Sequence, residues 1–185
     1  RNFQPDDQKV AVTAGQLRYY LGDWEFEGTV LPRHEGFHFA SEPDDPWLFY
    51  GPRQLALAGI PLVVEPVAGD LSNTEFAGKI SRPVGNWSIA GYAFHGRDRM
   101  GFPGMAFDPL TGMPIGAMMA YHRQSVFGLS AQGSLGSELI RAEAAYYRTP
   151  DKDGDDPFVR NRQVKATLGW ERFLFLDINA HLQYI

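Results

Sequence analysis

Residues 127–147 read FGLSAQGSLGSELIRAEAAYY, and this stretch decides the fold class. Before Gly136 the apolar or small side chains stand at odd positions, and after Ser137 they stand at even positions. Successive side chains of a strand point to opposite faces, whereas a helix of period 3.6 would mix the two sets. Gly136-Ser137, where the pattern switches, is a two-residue link of the kind that forms a tight hairpin. The stretch therefore predicts two antiparallel strands.

The same period of two recurs along the chain, most clearly in residues 24–30, 164–171 and 174–185. Several of these segments have the 9–11 residues that a tilted strand needs to cross a bilayer, more than the usual globular strand of about 5–6. The alternation predicts eight strands, at residues 9–21, 24–32, 74–84, 87–96, 121–135, 138–148, 162–171 and 174–185.

The connections between these strands alternate in length. Short links are predicted at Gly22-Asp23, Gly85-Asn86, Gly136-Ser137 and Arg172-Phe173, and long ones at residues 33–73, 97–120 and 149–161. Short turns alternating with long loops are typical of outer-membrane β-barrels, which keep the turns periplasmic and the loops outside. The predicted fold class is therefore all-β, an antiparallel transmembrane β-barrel with long extracellular loops.

Composition removes several other classes of protein. The net charge of −5 and the lack of a basic cluster argue against a nucleic-acid partner. Cysteine does not occur, which excludes thiol catalysis and thiolate metal sites. No run of 18 apolar residues is present to make a membrane helix, so a membrane location requires a closed barrel. We expect no cofactor and no catalytic residue.

Polar side chains alternate with the apolar ones, and on a porin-like wall they face the lumen while the apolar set faces lipid. The alternative is that opposite charges on adjacent strands only brace the wall. The predicted lumen-lining residues are Arg18, Glu25, Glu27, Lys79, Arg141, Glu143, Lys165, Glu171, Asp177 and His181.

Three tryptophans lie close to the short turns. Trp24 and Trp87 follow a turn directly, and Trp170 lies two residues before the fourth predicted turn. An aromatic girdle at the membrane interface places amphipathic rings at this height. The alternative is that they are ordinary core tryptophans beside hairpins.

The direction of the strands bears on the size of the barrel. If the short turns are periplasmic, both ends of the chain lie on the outer side, whereas complete barrels of this class normally have periplasmic termini. We therefore expect residues 1–185 to be a single barrel domain or a segment of a larger barrel, with further strands at each end and about ten strands at least.

Several segments resemble one family of proteins. Arg1-Asn2-Phe3, Pro5-Asp6-Asp7, residues 20–25 (YLGDWE) and residues 30–34 (VLPRH) are similar to proteobacterial outer-membrane proteins that are porin-like and of largely unassigned function. Residues 138–148 and 163–185 are similar to the later strands of such proteins. The resemblance implies a β-barrel with passive transport or a scaffold role, and it implies no catalytic residue.

One motif points to a different chemistry. His34-Glu35-Gly36-Phe37-His38 matches the H-E-x-x-H pattern, in which two histidines one helical turn apart bind zinc and the glutamate acts as general base. Pro32 and Gly36 disfavour the helix that this chemistry needs. Glu42 and Glu65 are candidate third ligands. The alternative is a His/Glu loop at the membrane interface.

Two of the long connections suggest partners. The segment 33–73 is long for a loop, which predicts either a lid that folds over the mouth or an insertion that docks a protein. Residues 151–156 (DKDGDD) predict an acidic, exposed hairpin tip, with divalent-ion bridging to lipopolysaccharide as the alternative.

Three functions follow from these features. The first is an outer-membrane channel for passive diffusion of small polar or amphipathic solutes, in contact with lipid and lipopolysaccharide. The second is a barrel scaffold or sleeve that binds a partner protein through its long loops. The third is a zinc hydrolase built on His34, Glu35 and His38.

Overall fold

A computed structural model of the chain describes residues 12–36, 54, 57–60, 62–108, 110–174 and 179–185. Within these residues the structure has eleven bounded strands and one bounded turn of 3-10 helix, Leu71–Asn73. The strands are β1 (Gly15–Leu21), β2 (Trp24–Leu31), β3 (Leu62–Val64), β4 (Glu75–Val84), β5 (Trp87–Arg97), β6 (Phe102–Phe107), β7 (Pro114–Ala120), β8 (Arg123–Leu135), β9 (Glu138–Arg148), β10 (Gln163–Phe173) and β11 (Asn179–Tyr184).

Eight strands form one antiparallel sheet in the order β1-β2-β4-β5-β8-β9-β10-β11. Strands β3, β6 and β7 do not belong to this sheet. Each of its eight strands pairs with the strand of the same sheet that follows it in sequence. The all-β, antiparallel prediction is confirmed, and each of the eight predicted strands overlaps a strand of this sheet.

Three of the predicted short turns are confirmed. Each joins its strands through two residues, and Gly22, Gly85 and Gly136 adopt positive φ angles of 58°, 58° and 63°. Only glycine adopts this conformation without a steric penalty, which is why a Gly-led pair ends the strand here. The short turns lie at one end of the sheet, and the connections at residues 32–74, 98–122 and 149–162 lie at the other.

The fourth predicted turn, Arg172-Phe173, is wrong. Strand β10 continues through Phe173, which pairs with Asn179 of β11, so the connection lies after Phe173. Neither Arg172 nor Phe173 favours the positive φ of a tight hairpin, and the alternation after them hid the break. The start of the first predicted strand, at residues 9–11, lies outside the described residues.

The long loops contain a second sheet that the sequence did not predict. Strands β3, β7 and β6 form it in that order, with β3 parallel to β7 and β6 antiparallel to β7. Strand β3 comes from the predicted loop 33–73, whereas β6 and β7 come from the predicted loop 97–120. The two loops are therefore joined by backbone hydrogen bonds, extended by that from Glu65 N to Met119 O at 2.9 Å.

The eight-stranded sheet is open along both edges. Within the part of the chain that the structure describes, β1 pairs only with β2 and β11 pairs only with β10. A closed barrel is therefore not observed. Among the described residues no helix is long and apolar enough to cross a membrane.

We predict that Gly85→Ala destabilises the fold by about 1–2 kcal/mol, because an L side chain at positive φ carries a steric cost of that size. The midpoint of chemical denaturation measures it. Gly15→Ala is the matched control, since its Cβ would meet no atom within 4 Å and its φ is not in the positive region. Equal midpoints for the two variants would contradict the prediction.

Candidate functional site

The register of the eight-stranded sheet sorts its side chains onto two faces, because residues that pair directly across antiparallel strands share a face. Arg18 pairs with Glu27, and Glu27 with Lys79. The face that carries these three residues is called the polar face below. It carries every predicted lumen-lining residue that the structure describes: Arg18, Glu25, Glu27, Lys79, Arg141, Glu143, Lys165, Glu171 and His181. Asp177 lies outside the described residues.

Ion pairs cross between neighbouring strands of the polar face. The Arg18 Nε atom lies 2.8 Å from Glu27 Oε2, and Arg141 Nη2 lies 3.5 Å from Glu171 Oε2. Lys79 Nζ lies 3.9 Å from Glu25 Oε2, which also accepts a hydrogen bond from Ser81 Oγ. These pairs brace adjacent strands, as one of the two interpretations of the charged set expects.

The opposite face, called the apolar face below, carries the hydrophobic set of every strand. Its side chains are exposed: Leu129 is 70% accessible, Leu168 54% and Leu182 68%. Only four hydrophobic residues of the described chain are buried, namely Leu31, Ala90, Ala120 and Tyr121. No second layer of the described residues therefore covers the apolar face, which is unusual for a sheet that stands in water.

Polar side chains bound the apolar face at the loop end. On β5 the apolar positions run from Trp87 to Ala93, and His95 follows. On β8 they run from Leu135 to Phe127 before Ser125, which lies opposite His95 and within hydrogen-bond distance of it. At about 3.4 Å per residue these bands span about 20 to 27 Å along the strands. Because the strands of outer-membrane barrels tilt by about 35–45°, these lengths correspond to a band about 14 to 22 Å tall, somewhat below the height of about 25 Å that is typical of their lipid-facing band.

The three tryptophans lie on the apolar face at its turn end. Arg82 stacks over the Trp24 ring, with its guanidinium carbon 5.2 Å from the ring centroid. Trp170 donates a hydrogen bond from Nε1 to Glu138 at 3.1 Å. Trp87 lies opposite Gly133, where a Cβ would come within 2.4 Å of the indole ring. All three indole rings therefore lie on the apolar face, and those of Trp24 and Trp170 also contact a charged side chain.

A buried polar cluster lies at the loop end of the sheet, centred on Glu75. The Glu75 side chain is 1% accessible and that of His34 is 2%. His34 Nδ1 lies 2.6 Å from Glu75 Oε1, which also accepts a hydrogen bond from the Arg97 backbone N–H at 3.1 Å. Arg99 Nη2 donates to Glu75 Oε2 at 3.0 Å. Both carboxylate oxygens thus have partners, as a buried charge requires.

Tyr121 extends this cluster towards the second sheet. Its ring centroid lies 5.1 Å from that of His34, and its backbone N–H donates to Glu65 Oε2 at 2.9 Å. Burial raises the pKa of the Tyr121 phenol, and the Glu65 carboxylate raises it further. A Cβ on Gly36 would come within 2.5 Å of the Tyr121 ring. A larger residue at position 36 would therefore require the Tyr121 ring to shift.

The zinc motif is only partly within the described chain. His34 and Glu35 are described, whereas His38 and Glu42 lie outside the described residues. Glu65 hydrogen bonds the Tyr121 backbone and lies 3.9 Å from Arg97 Nη1. The contact between the His34 ring and the Glu75 carboxylate resembles the one that zinc-bound histidines make through the ring nitrogen that does not bind the metal. Among the described residues, however, no three His, Cys, Asp or Glu side chains stand together in a way that could hold a metal ion.

The connection at residues 149–162 packs against the second sheet. Arg160 Nη1 lies 3.4 Å from Asp98 Oδ2, and its guanidinium stacks over the Phe102 ring. His122 Nε2 lies 2.9 Å from the Phe158 carbonyl oxygen. Asp151 is buried and accepts a hydrogen bond from Gly154 N, so the expectation of a wholly exposed acidic tip is wrong at its first residue. Residues 62–74, 98–122 and 149–162 together are called the loop layer below.

Sequence reasoning missed both the Glu75 cluster and the loop layer. Glu75 reads as an ordinary polar position at the start of a strand, and its partners lie 22 to 41 residues away in the chain. A signal was nevertheless present, because Glu75 and Arg97 are charged residues at the ends of strands that adjoin in the sheet, and Arg99 follows two residues later.

We predict that Glu75→Gln lowers the free energy of unfolding by about 1.5–3 kcal/mol, because it replaces a buried carboxylate that accepts charge-assisted hydrogen bonds from Arg99 and from the Arg97 backbone. Urea denaturation measures the change. Glu27→Gln is the control: its partner Arg18 is 52% accessible, so we expect a loss below about 1 kcal/mol. A loss at Glu75 as small as that at Glu27 would show that the cluster does not stabilise the loop end.

Comparison with known proteins adds no relative. No protein family, no curated protein and no solved structure matches the chain.

Proposed function

We propose that this chain forms part of the wall of an outer-membrane β-barrel that acts as a channel for passive diffusion of small polar or amphipathic solutes. The observation that carries the proposal is the two-faced sheet: an exposed, continuous apolar face on one side and rows of charges on the other. A lipid bilayer outside and water inside would solvate both faces, which water alone would not.

The layout of the connections supports the same proposal. Tight turns lie at one end and the loop layer at the other, as in barrels with periplasmic turns and extracellular loops. The open edges at β1 and β11 expose backbone groups that a bilayer cannot hydrogen bond. We propose that both edges are paired with strands in the assembled, closed barrel.

The rims of the apolar face fit the proposed lipid partners. At the turn end Trp24, Trp87 and Trp170 would stand at the inner interface as the girdle. At the loop end Arg123 and Arg148 lie on the same face, exposed. Their guanidinium groups would stand at the height of lipopolysaccharide phosphates, which arginine binds through paired hydrogen bonds.

The charges of the polar face support a channel of weak ion selectivity. Among the predicted lumen-lining residues that the structure describes, the four cations Arg18, Lys79, Arg141 and Lys165 equal in number the four anions Glu25, Glu27, Glu143 and Glu171. A lumen lined by both signs selects by size and local contacts more than by net charge.

A second function is favoured by a different observation. The loop layer exposes large hydrophobic side chains, among them Leu110, which is 94% accessible, and Met100 and Met113. Exposed apolar side chains clustered in loops are typical of surfaces that bind proteins, and flexible methionines adapt to a partner. A barrel scaffold that binds a partner protein through its loop layer is therefore the alternative.

We predict that Leu129→Arg in the full-length gene product blocks assembly in the outer membrane, whereas Ser130→Arg does not. The two residues are neighbours on β8, with Leu129 on the apolar face and Ser130 on the polar face. An arginine near the middle of the lipid-facing band costs about 2–4 kcal/mol. On the lumen side it stays hydrated and lies opposite Glu143.

Membrane fractionation and the heat-dependent mobility shift of folded barrels on gels measure this assembly. If Leu129→Arg assembles as well as Ser130→Arg, the apolar face does not contact lipid and the membrane proposal fails.

We further predict that the purified full-length gene product conducts ions in planar bilayers, with a reversal potential near zero under a KCl gradient because the polar face carries both signs of charge. A strongly shifted reversal potential would contradict this prediction, because it would show that one sign of charge dominates the lumen. A folded barrel without conductance would favour the scaffold function over the channel.

A further inference from the structure

On the polar face, Glu143 and Lys165 do not form an ion pair with each other. Three other couples there do: Arg18 with Glu27, Lys79 with Glu25, and Arg141 with Glu171. Glu143 on β9 pairs with Thr167 of β10, and Lys165 lies two residues before Thr167. Neither charge lies within 4 Å of an opposite charge in the described chain, whereas Arg18, Lys79 and Arg141 do. The Lys165 ammonium instead lies 5.1 Å from the centroid of the Tyr147 ring. An anion and a cation are thus left available side by side.

An aromatic and aliphatic surface adjoins these two charges. Phe94, Val126 and Tyr147 lie next to one another across β5, β8 and β9 in direct register. With Glu143 and Lys165 they line a hollow of about 560 Å³ on the polar face. Hollows of 300 to 1,000 Å³ with mostly apolar walls and a few polar groups are typical of sites for small molecules.

We propose that this hollow binds a free α-amino acid with an aromatic or large apolar side chain. Lys165 would bind the carboxylate, Glu143 the ammonium group, and Phe94, Val126 and Tyr147 the side chain. A solute with one charge can form a charge-assisted hydrogen bond with only one of Glu143 and Lys165, whereas a zwitterion can form one with each. This inference rests on the proposed function, because the hollow faces the lumen only if the sheet is a barrel wall.

Binding by the detergent-solubilised full-length gene product, measured by titration calorimetry, tests the ligand class. The probes are L-phenylalanine and three analogues: 3-phenylpropanoate lacks the ammonium group, phenethylamine lacks the carboxylate and L-alanine lacks the ring. We expect L-phenylalanine to bind at least about tenfold more tightly than each of the others, as the loss of one charged hydrogen bond or one ring contact implies. Equally tight binding of 3-phenylpropanoate would overturn the zwitterion assignment, and no binding of L-phenylalanine would overturn the site.

Single substitutions test the residues. Lys165→Gln and Glu143→Gln should each weaken L-phenylalanine binding about tenfold or more, and both side chains are exposed, so the fold should be retained. Circular dichroism checks the fold. Lys152→Gln, an exposed lysine in the connection between β9 and β10, is the control with unchanged binding. Wild-type affinity in Lys165→Gln would overturn the proposal.

Conductance in KCl without any amino acid separates this inference from the channel proposal. If the protein conducts but does not bind L-phenylalanine, the channel proposal stands and the binding-site proposal fails. If the protein binds L-phenylalanine through Lys165 and Glu143 but does not conduct, the binding-site proposal stands and the channel proposal fails.

Discussion

The antiparallel register of the eight-stranded sheet is the constraint on which the rest of the structure depends. A slip of one residue between any two strands would move one strand's whole hydrophobic set to the polar face. The two-residue turns at Gly22, Gly85 and Gly136 set this register for three pairs of strands, because each turn leaves no slack in the pairing. The two-faced character of the sheet follows from local turn geometry as much as from the hydrophobic pattern.

Burial in this chain is distributed unlike that of a protein with a hydrophobic core. The large apolar side chains are exposed on one face, whereas the most deeply buried side chain of the described residues is a carboxylate, Glu75. The folded sheet therefore gains little from hydrophobic contacts among its own described residues, and its backbone hydrogen bonds and cross-strand pairs carry more of the stability. The Glu75 cluster provides a fixed point where the sheet meets the loop layer.

Much of the sheet could be predicted from the sequence because its signals are local. Alternation and Gly-led turns identified the strands, and the same period placed Glu27, Lys79 and Glu143 on one face before any pairing was known. The second sheet could not be predicted in this way. Strand β3 has three residues, and its partner β7 lies about fifty residues later, so no periodicity within either segment reveals the pairing. The Glu75 cluster was missed for the same reason, since its contacts join distant segments. The turn after Phe173 was misplaced because the alternation resumes beyond it.

The parallel pairing of β3 with β7 has a mechanical consequence. The two segments leave different hairpins of the large sheet, yet they share one set of backbone hydrogen bonds. A displacement of either segment must carry the other with it or break that pairing. The ends of four neighbouring strands, β2, β4, β5 and β8, are thereby joined through one small sheet and not through two independent loops.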